Sequence, residues 1–137
     1  MTRFFETISA AFGAVFGFIF GGLDGLLYAL LAFVVIDYVT GFLVAVATKS
    51  LCSECGFKGI SKKVLIFALV GVANIVDIFV IKQGTTFRTA TIFFYMANEG
   101  ISIIENAGQL GLPLPNKLKG VLKQLNMDND GEDKEEK

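Results

Sequence analysis

Four carboxylates stand in apolar surroundings in this sequence: Asp37, Asp77, Glu99 and Glu105. Polar neutral residues accompany them, with Thr40 after Asp37, Asn74 before Asp77, and Asn98, Ser102, Asn106 and Gln109 around the two glutamates. An ionised carboxylate deep in a bilayer is costly unless it is paired, protonated or wetted. The apolar runs themselves appear without lysine or arginine, so the expected partners are Lys49, Lys82 and Arg88 at the rims, neighbouring copies, or water. Amides and hydroxyls at such depth hydrogen-bond from helix to helix. The chemistry this pattern supports is association and wetting of helices, either within one bundle or between several copies.

Bond-making chemistry has little to work with. Histidine is absent, and neither a nucleophile with a partnered base nor a glycine loop suited to phosphate is present. Enzyme activity and a cofactor are therefore not expected. Cys52 and Cys55 form a lone Cys-x-x-Cys, which cannot close a four-ligand zinc site within one chain, and they read as incidental loop thiols in a reducing compartment. Asn126, Asp128, Asp130 and Gly131 imitate the start of a calcium loop, but its twelfth place is Lys137 where a bidentate carboxylate is required. No metal site is expected.

The elements that must position these groups are helices in a membrane. Hydrophobic residues make up 53% of the 137 and charged residues only 18%, too few to cover the surface of a water-soluble domain. Mean hydropathy is +0.62. The net charge of −1 is segregated, because six of the thirteen acidic residues lie between Asp128 and Glu136 and the rest of the chain is net positive. Basic residues set between apolar runs suit membrane orientation rather than nucleic acid.

The expected fold class is all-α and integral to the membrane, with three to four transmembrane helices. Hydrophobic segments are predicted over residues 8–23, 26–47, 64–81 and 89–112, forming with an amphipathic helix over 116–125 a single membrane domain, residues 1–125. Residues 126–137 read as a disordered acidic tail. The first segment falls just short of the roughly twenty residues that cross a bilayer, so it either spans or lies in the interface. It carries Gly13, Gly17 and Gly21 at four-residue spacing, a stripe that allows close helix contact. It lacks the basic start and cleavage site of a signal peptide and is expected to be retained.

In the second and third segments Asp37, Thr40, Gly41, Asn74 and Asp77 are candidate intramembrane packing residues. In the fourth, Asn98, Glu99, Ser102, Glu105, Asn106 and Gln109 form a polar stripe, a candidate for oligomerisation or for lining a pore. Pro113 and Pro115 are expected to stop that helix. Asn116 is placed to cap the next, whose Leu118, Val121, Leu122 and Leu125 share a face opposite Lys117, Lys119 and Lys123.

Charge sets the expected orientation. Lys49, Lys58, Lys62 and Lys63 mark residues 48–63 as a cytoplasmic basic loop, and the lysines after Asn116 place the C-terminal side there as well. The connection from Lys82 to Arg88 then lies outside despite its two positive charges.

Two stretches, IDYVTGFLVAVATKSLCSECGFKGISKKVLIF and ANEGISIIENAGQLGLPLPNKLKGVLKQL, together resemble the phage holins of Gram-positive hosts grouped with the clostridial toxin-secretion holin. The resemblance covers roughly Ile36 to Leu125. It rests on Asp37 with Gly41, on Gly56-Phe57-Lys58-Gly59 before Lys62-Lys63, and on Asn98-Glu99 through Glu105-Asn106 ahead of Gly111-Leu112-Pro113-Leu114-Pro115. It implies a protein that accumulates in the host cytoplasmic membrane, assembles in many copies, and opens a lesion through which a phage endolysin reaches the cell wall. A related branch assists export of large proteins. The endolysin would be a partner by passage, not necessarily by contact, and an antiholin is admitted as a further partner. From the residues alone, a small ion or proton-coupled transporter and a membrane adaptor remain alternatives.

Overall fold

The computed structural model describes residues 1–121, 123 and 124. Four long helices account for most of them: α1 (Thr2–Phe20), α2 (Gly25–Ala47), α3 (Ser53–Val76), which continues as a π-helical turn (Asp77–Ile81), and α4 (Thr86–Gln109). A fifth, α5, starts at Asn116 and is helical over the described residues 116–121, 123 and 124. The fold is all-α, and α1, α2 and α3 with its π-turn are each long and apolar enough to cross a membrane.

α2 and α4 form the most extensive contact and run parallel, while α3 runs antiparallel to both. The core follows a helical register on each element. Leu27, Leu30 and Val34 of α2 meet Ile66 and Val70 of α3 and Ile92 of α4, all buried. The outward faces remain apolar and exposed, as with Val39, Phe42 and Leu43 on α2 and Val64, Leu65 and Leu69 on α3. A bilayer supplies the solvent such faces require.

Helix ends are set by backbone geometry. Asp24 caps α2, its side chain accepting from Leu27 N–H at 3.0 Å. At the other end of α2, Lys49 adopts a left-handed φ of 55°, and Ser50 N–H reaches Ala45 C=O at 2.9 Å. α4 closes in the same manner around Gly111 (φ 91°), with Leu112 N–H on Ala107 C=O at 3.1 Å. The expected stop at Pro113 is corrected: the left-handed glycine turns the chain before either proline is reached.

The expected basic loop over 48–63 is also corrected. α3 starts at Ser53, so Lys58, Lys62 and Lys63 lie on a helix and only Lys49 lies in a turn. Cys52 starts that helix, its sulfur accepting from Cys55 N–H at 3.1 Å, and Glu54 in the first turn suits the helix dipole. Gly56 and Gly59 lie on the same helix and face Tyr38 of α2. A Cβ at either would lie 3.7 Å from its hydroxyl or 3.9 Å from its ring. The Cys52 and Cys55 sulfurs lie side by side in the first turn of α3, placed to pair as a disulfide in an oxidising compartment and to remain thiols in a reducing one.

α1 occupies residues 2–20 rather than 8–23, and none of its residues is buried. It rests on α3 through its last turns, where Gly71 leaves room for Ile19. Gly13 and Gly17 face open space within the chain, whereas Gly21 lies past the helix end at a left-handed φ of 77°. The expected three-glycine stripe is thus two helical glycines and a cap. Leu122, Leu125, the expected acidic tail and its calcium-loop imitation lie outside the described residues.

Candidate functional site

The polar residues extend the same inward seams that carry the core. On α2, Leu27, Leu30 and Val34 are followed in register by Asp37. On α3, Ile66 and Val70 lie between Lys63 and the pair Asn74 and Asp77, and on α4 Ile92 lies between Arg88 and Glu99. The apolar core is therefore bounded by two polar layers, one toward each end of the bundle.

The first layer joins three helices. Lys63 Nζ donates to Asp37 Oδ2 and to Glu99 Oε2, pairing with both. Asn106 Nδ2 adds bonds to Asp37 Oδ1 at 3.3 Å and Thr40 Oγ1 at 3.0 Å. Gly41 stands where a Cβ would come within 3.6 Å of that amide. Asp37 lies ten residues before the end of α2, Lys63 ten after the start of α3, and Glu99 ten before the end of α4. At 1.5 Å per residue all three lie about 15 Å from the same end of the bundle.

The second layer fastens α1 and the turn after it. Arg88, only 2% exposed, donates through Nη1 to Asp24 Oδ2 at 2.8 Å and through Nη2 to Asp24 Oδ1 at 3.0 Å and Gly22 C=O at 3.2 Å. Its Nε reaches Phe20 C=O. Asn74 Nδ2 donates to the carbonyls of Phe18 and Ile19, both at 3.0 Å. The last carbonyls of α1, which its own helix leaves without donors, are thus satisfied by α3 and α4. Asp77 accepts the backbone N–H groups of Phe87 at 3.0 Å and Arg88 at 2.8 Å, starting α4 from the π-turn. Asp24, outside the helices, is held down to a pKa of about 2, chiefly by its hydrogen bonds from Arg88.

These pairings correct the expectation that no cation lies within the spans. Lys63 sits inside α3 and is the missed partner of Asp37 and Glu99; Arg88, expected at a rim, lies in the first turn of α4, where its side chain pairs with Asp24 and its backbone N–H binds Asp77. The signal was present: both fall on the seam, Lys63 seven residues before Val70 and Arg88 four before Ile92. Reading residues 48–63 and 82–88 as connections hid that register.

The α4 stripe divides into two edges. On an ideal helix its six residues span roughly 120°. Glu99 and Asn106 form one edge and are engaged by α2 and α3, with Glu99 6% exposed. Asn98, Glu105 and Gln109 lie toward the other edge, where Asn98 and Gln109 are exposed and Glu105 is half-buried; Ser102, between the edges, is half-buried as well. Among the described residues no cluster of three or more metal-ligating side chains occurs.

The bacteriophage holin family matches residues 14–127. A probable holin of Bacillus phage phi105 is 40% identical over 97 residues, 70% of each chain. An uncharacterised protein of Listeria innocua is 45% identical over 126 residues, 92% of this chain and 88% of its own. An uncharacterised 14.9 kDa protein of Clostridium perfringens is 47% identical over 100 residues, 73% of this chain and 76% of its own. No solved structure matches. With apolar helices suited to a bilayer and a family match across most of its length, the chain belongs to the bacteriophage holin family.

Proposed function

We propose that this holin assembles in many copies in the bacterial cytoplasmic membrane and opens a non-specific lesion through which an endolysin passes. The observation that carries the reading is the division of the α4 stripe. Glu99 and Asn106 are engaged within the chain, while Asn98 and Gln109 lie exposed on a bundle whose other outward faces are largely apolar. An exposed amide at the depth of Asn98 gains from meeting another copy or water, and Gln109 extends that edge to the end of α4. Before the lesion forms this edge rests against the helix of another copy; once the lesion opens it lines the opening, with Ser102 and Glu105 beside it.

The orientation that fits is four spans with both ends in the cytoplasm. Lys49, Lys58 and Lys62 then share the inner side with Lys117, Lys119 and Lys123, and the neutralisation of Arg88 by Asp24 leaves Lys82 as the main positive charge of the outer connection. The test replaces the open edge alone, with Asn98→Leu and Gln109→Leu, in bacteria carrying a cytoplasmic endolysin. Membrane insertion should persist while potential collapse and culture clearing are delayed or lost. Unchanged lysis timing would sink the proposal, and saturable, substrate-specific flux without endolysin release would favour the small transporter.

A further inference from the structure

The layer of Asp37, Lys63 and Glu99 does not balance in charge. Two carboxyls share one ammonium, and their side chains are only 9% and 7% exposed. Fully ionised, the layer would carry one uncompensated negative charge. It lies about 15 Å from the bundle end, within a hydrocarbon core about 30 Å thick, where an unpaired carboxylate is costly.

The two carboxyls are also in contact. Both accept from the same Lys63 nitrogen, and they come within hydrogen-bonding reach of each other. Ionised carboxylates only accept, so a hydrogen bond between them requires a proton on one. Like charges so placed resist joint ionisation.

No neighbouring group supplies the missing positive charge. On α3, Lys62 is exposed and lies about 100° round the helix from Lys63, so water screens it. On α2, Thr40 is neutral and Tyr38 is exposed; on α4, Ser102 and Asn106 are neutral, and Glu105, itself acidic, lies about 120° round from Glu99. α1 rests on α3 toward the other layer, where Arg88 is bound to Asp24.

Water reaches the layer from one end. A cleft of about 790 Å³ between α2 and α3 runs from Asp37, Lys63 and Asn106 to Leu51 and the exposed Cys52 and Cys55 at the helix ends. On the opposite side the layer is closed by the buried Val34, Ile66, Val70 and Ile92.

We propose that Asp37, Lys63 and Glu99 form a proton-operated latch. One proton shared by the two carboxyls keeps the layer neutral and holds α4 on α2 and α3; its loss through the cleft leaves a buried charge that releases α4. A rise in pH at the basic end of the bundle therefore drives the opening. The sign follows from linkage. Unfolded carboxyls are ionised above about pH 5, so the folded layer holds a proton that the unfolded chain lacks, and stability falls as pH rises. One proton shifts the ratio of open to closed latch by at most about tenfold per pH unit.

The full chain is reconstituted in phosphatidylcholine vesicles and followed by infrared difference spectroscopy from about pH 5 to about pH 9, below the ordinary lysine and tyrosine values. A protonated-carboxyl band should be present at neutral pH, exchange promptly in deuterium oxide, and fade on alkalinisation while the detergent-resistance midpoint falls. Glu99→Gln and Asp37→Asn each leave one ammonium with one carboxylate, so either change alone should remove the band and flatten the alkaline fall. A wild-type chain without the band at neutral pH, a band that survives both single changes, or an alkaline fall unchanged in both variants overturns the latch. A band that exchanges only slowly overturns the cleft as its route. None of these readouts depends on lysis.

Discussion

Arg88 and Asp24 lie 64 residues apart in sequence and meet through two parallel hydrogen bonds, Nη1 to Oδ2 at 2.8 Å and Nη2 to Oδ1 at 3.0 Å. The guanidinium simultaneously reaches Phe20 and Gly22 carbonyls, so one side chain ties the end of α1, the start of α2 and the first turn of α4 together. A planar fork can do this; a single ammonium cannot.

Arg88→Lys should therefore keep the charge and lose the geometry. The expected result is release of α1 from α3 with the α2 to α4 core intact, at a cost of about 2 kcal/mol or more from hydrogen bonds to charged groups. Limited proteolysis in membranes would show it as new cleavage between residues 20 and 25, while Lys63 and its partners stay protected.

Acid should loosen the same turn. The Arg88 guanidinium holds the Asp24 carboxyl at about 2, below its ordinary 3.8, so the charged form is favoured by the fold and its contribution is present above pH 4. It is lost as pH falls from about 4 through about 2. The protection factor of the Leu27 amide, whose N–H the carboxylate accepts, should fall over that interval and stay level between pH 5 and 8. In Asp24→Asn the acid step should vanish.

The layer of Asp37, Lys63 and Glu99 makes an opposite kind of prediction, in which one change is worse than three. Removing the cation by Lys63→Met leaves two carboxylates facing each other in a largely buried site, a loss of about 3–5 kcal/mol. Replacing all three by Asp37→Asn, Lys63→Met and Glu99→Gln should recover most of the loss. Detergent-resistance midpoints of the single and triple variants measure this, and equal destabilisation of both would contradict it.

Lys82 ends the π-turn at φ 59°, a left-handed conformation that costs an L-residue roughly 1–2 kcal/mol. Glycine avoids that cost but loses more chain entropy on folding, by about 0.5–1 kcal/mol. Lys82→Gly should consequently stabilise the protein by about 0.5–1 kcal/mol in the same midpoint assay. A decrease would show that the lysine ammonium, not the backbone, matters at this turn.

Much of this architecture was legible from residue order. The apolar run over α2, the break at Asp24 and Gly25, and the polar stripe of α4 are local patterns, determined by hydropathy, capping and periodicity within a few turns. They are enough to establish an all-α membrane protein and to single out its stranded carboxylates. What residue order left undecided was their partners. Lys63 lies 26 residues from Asp37 and 36 from Glu99, and helix periodicity carries no information about which faces of separate helices meet. Sequence likewise presented Asn98 to Gln109 as one stripe, and packing divided it, because α2 and α3 engage only the edge of α4 that carries Glu99 and Asn106. The tertiary structure decided these matters because a charge inside a membrane is stabilised only by the group that reaches it, and that depends on how whole helices lie side by side.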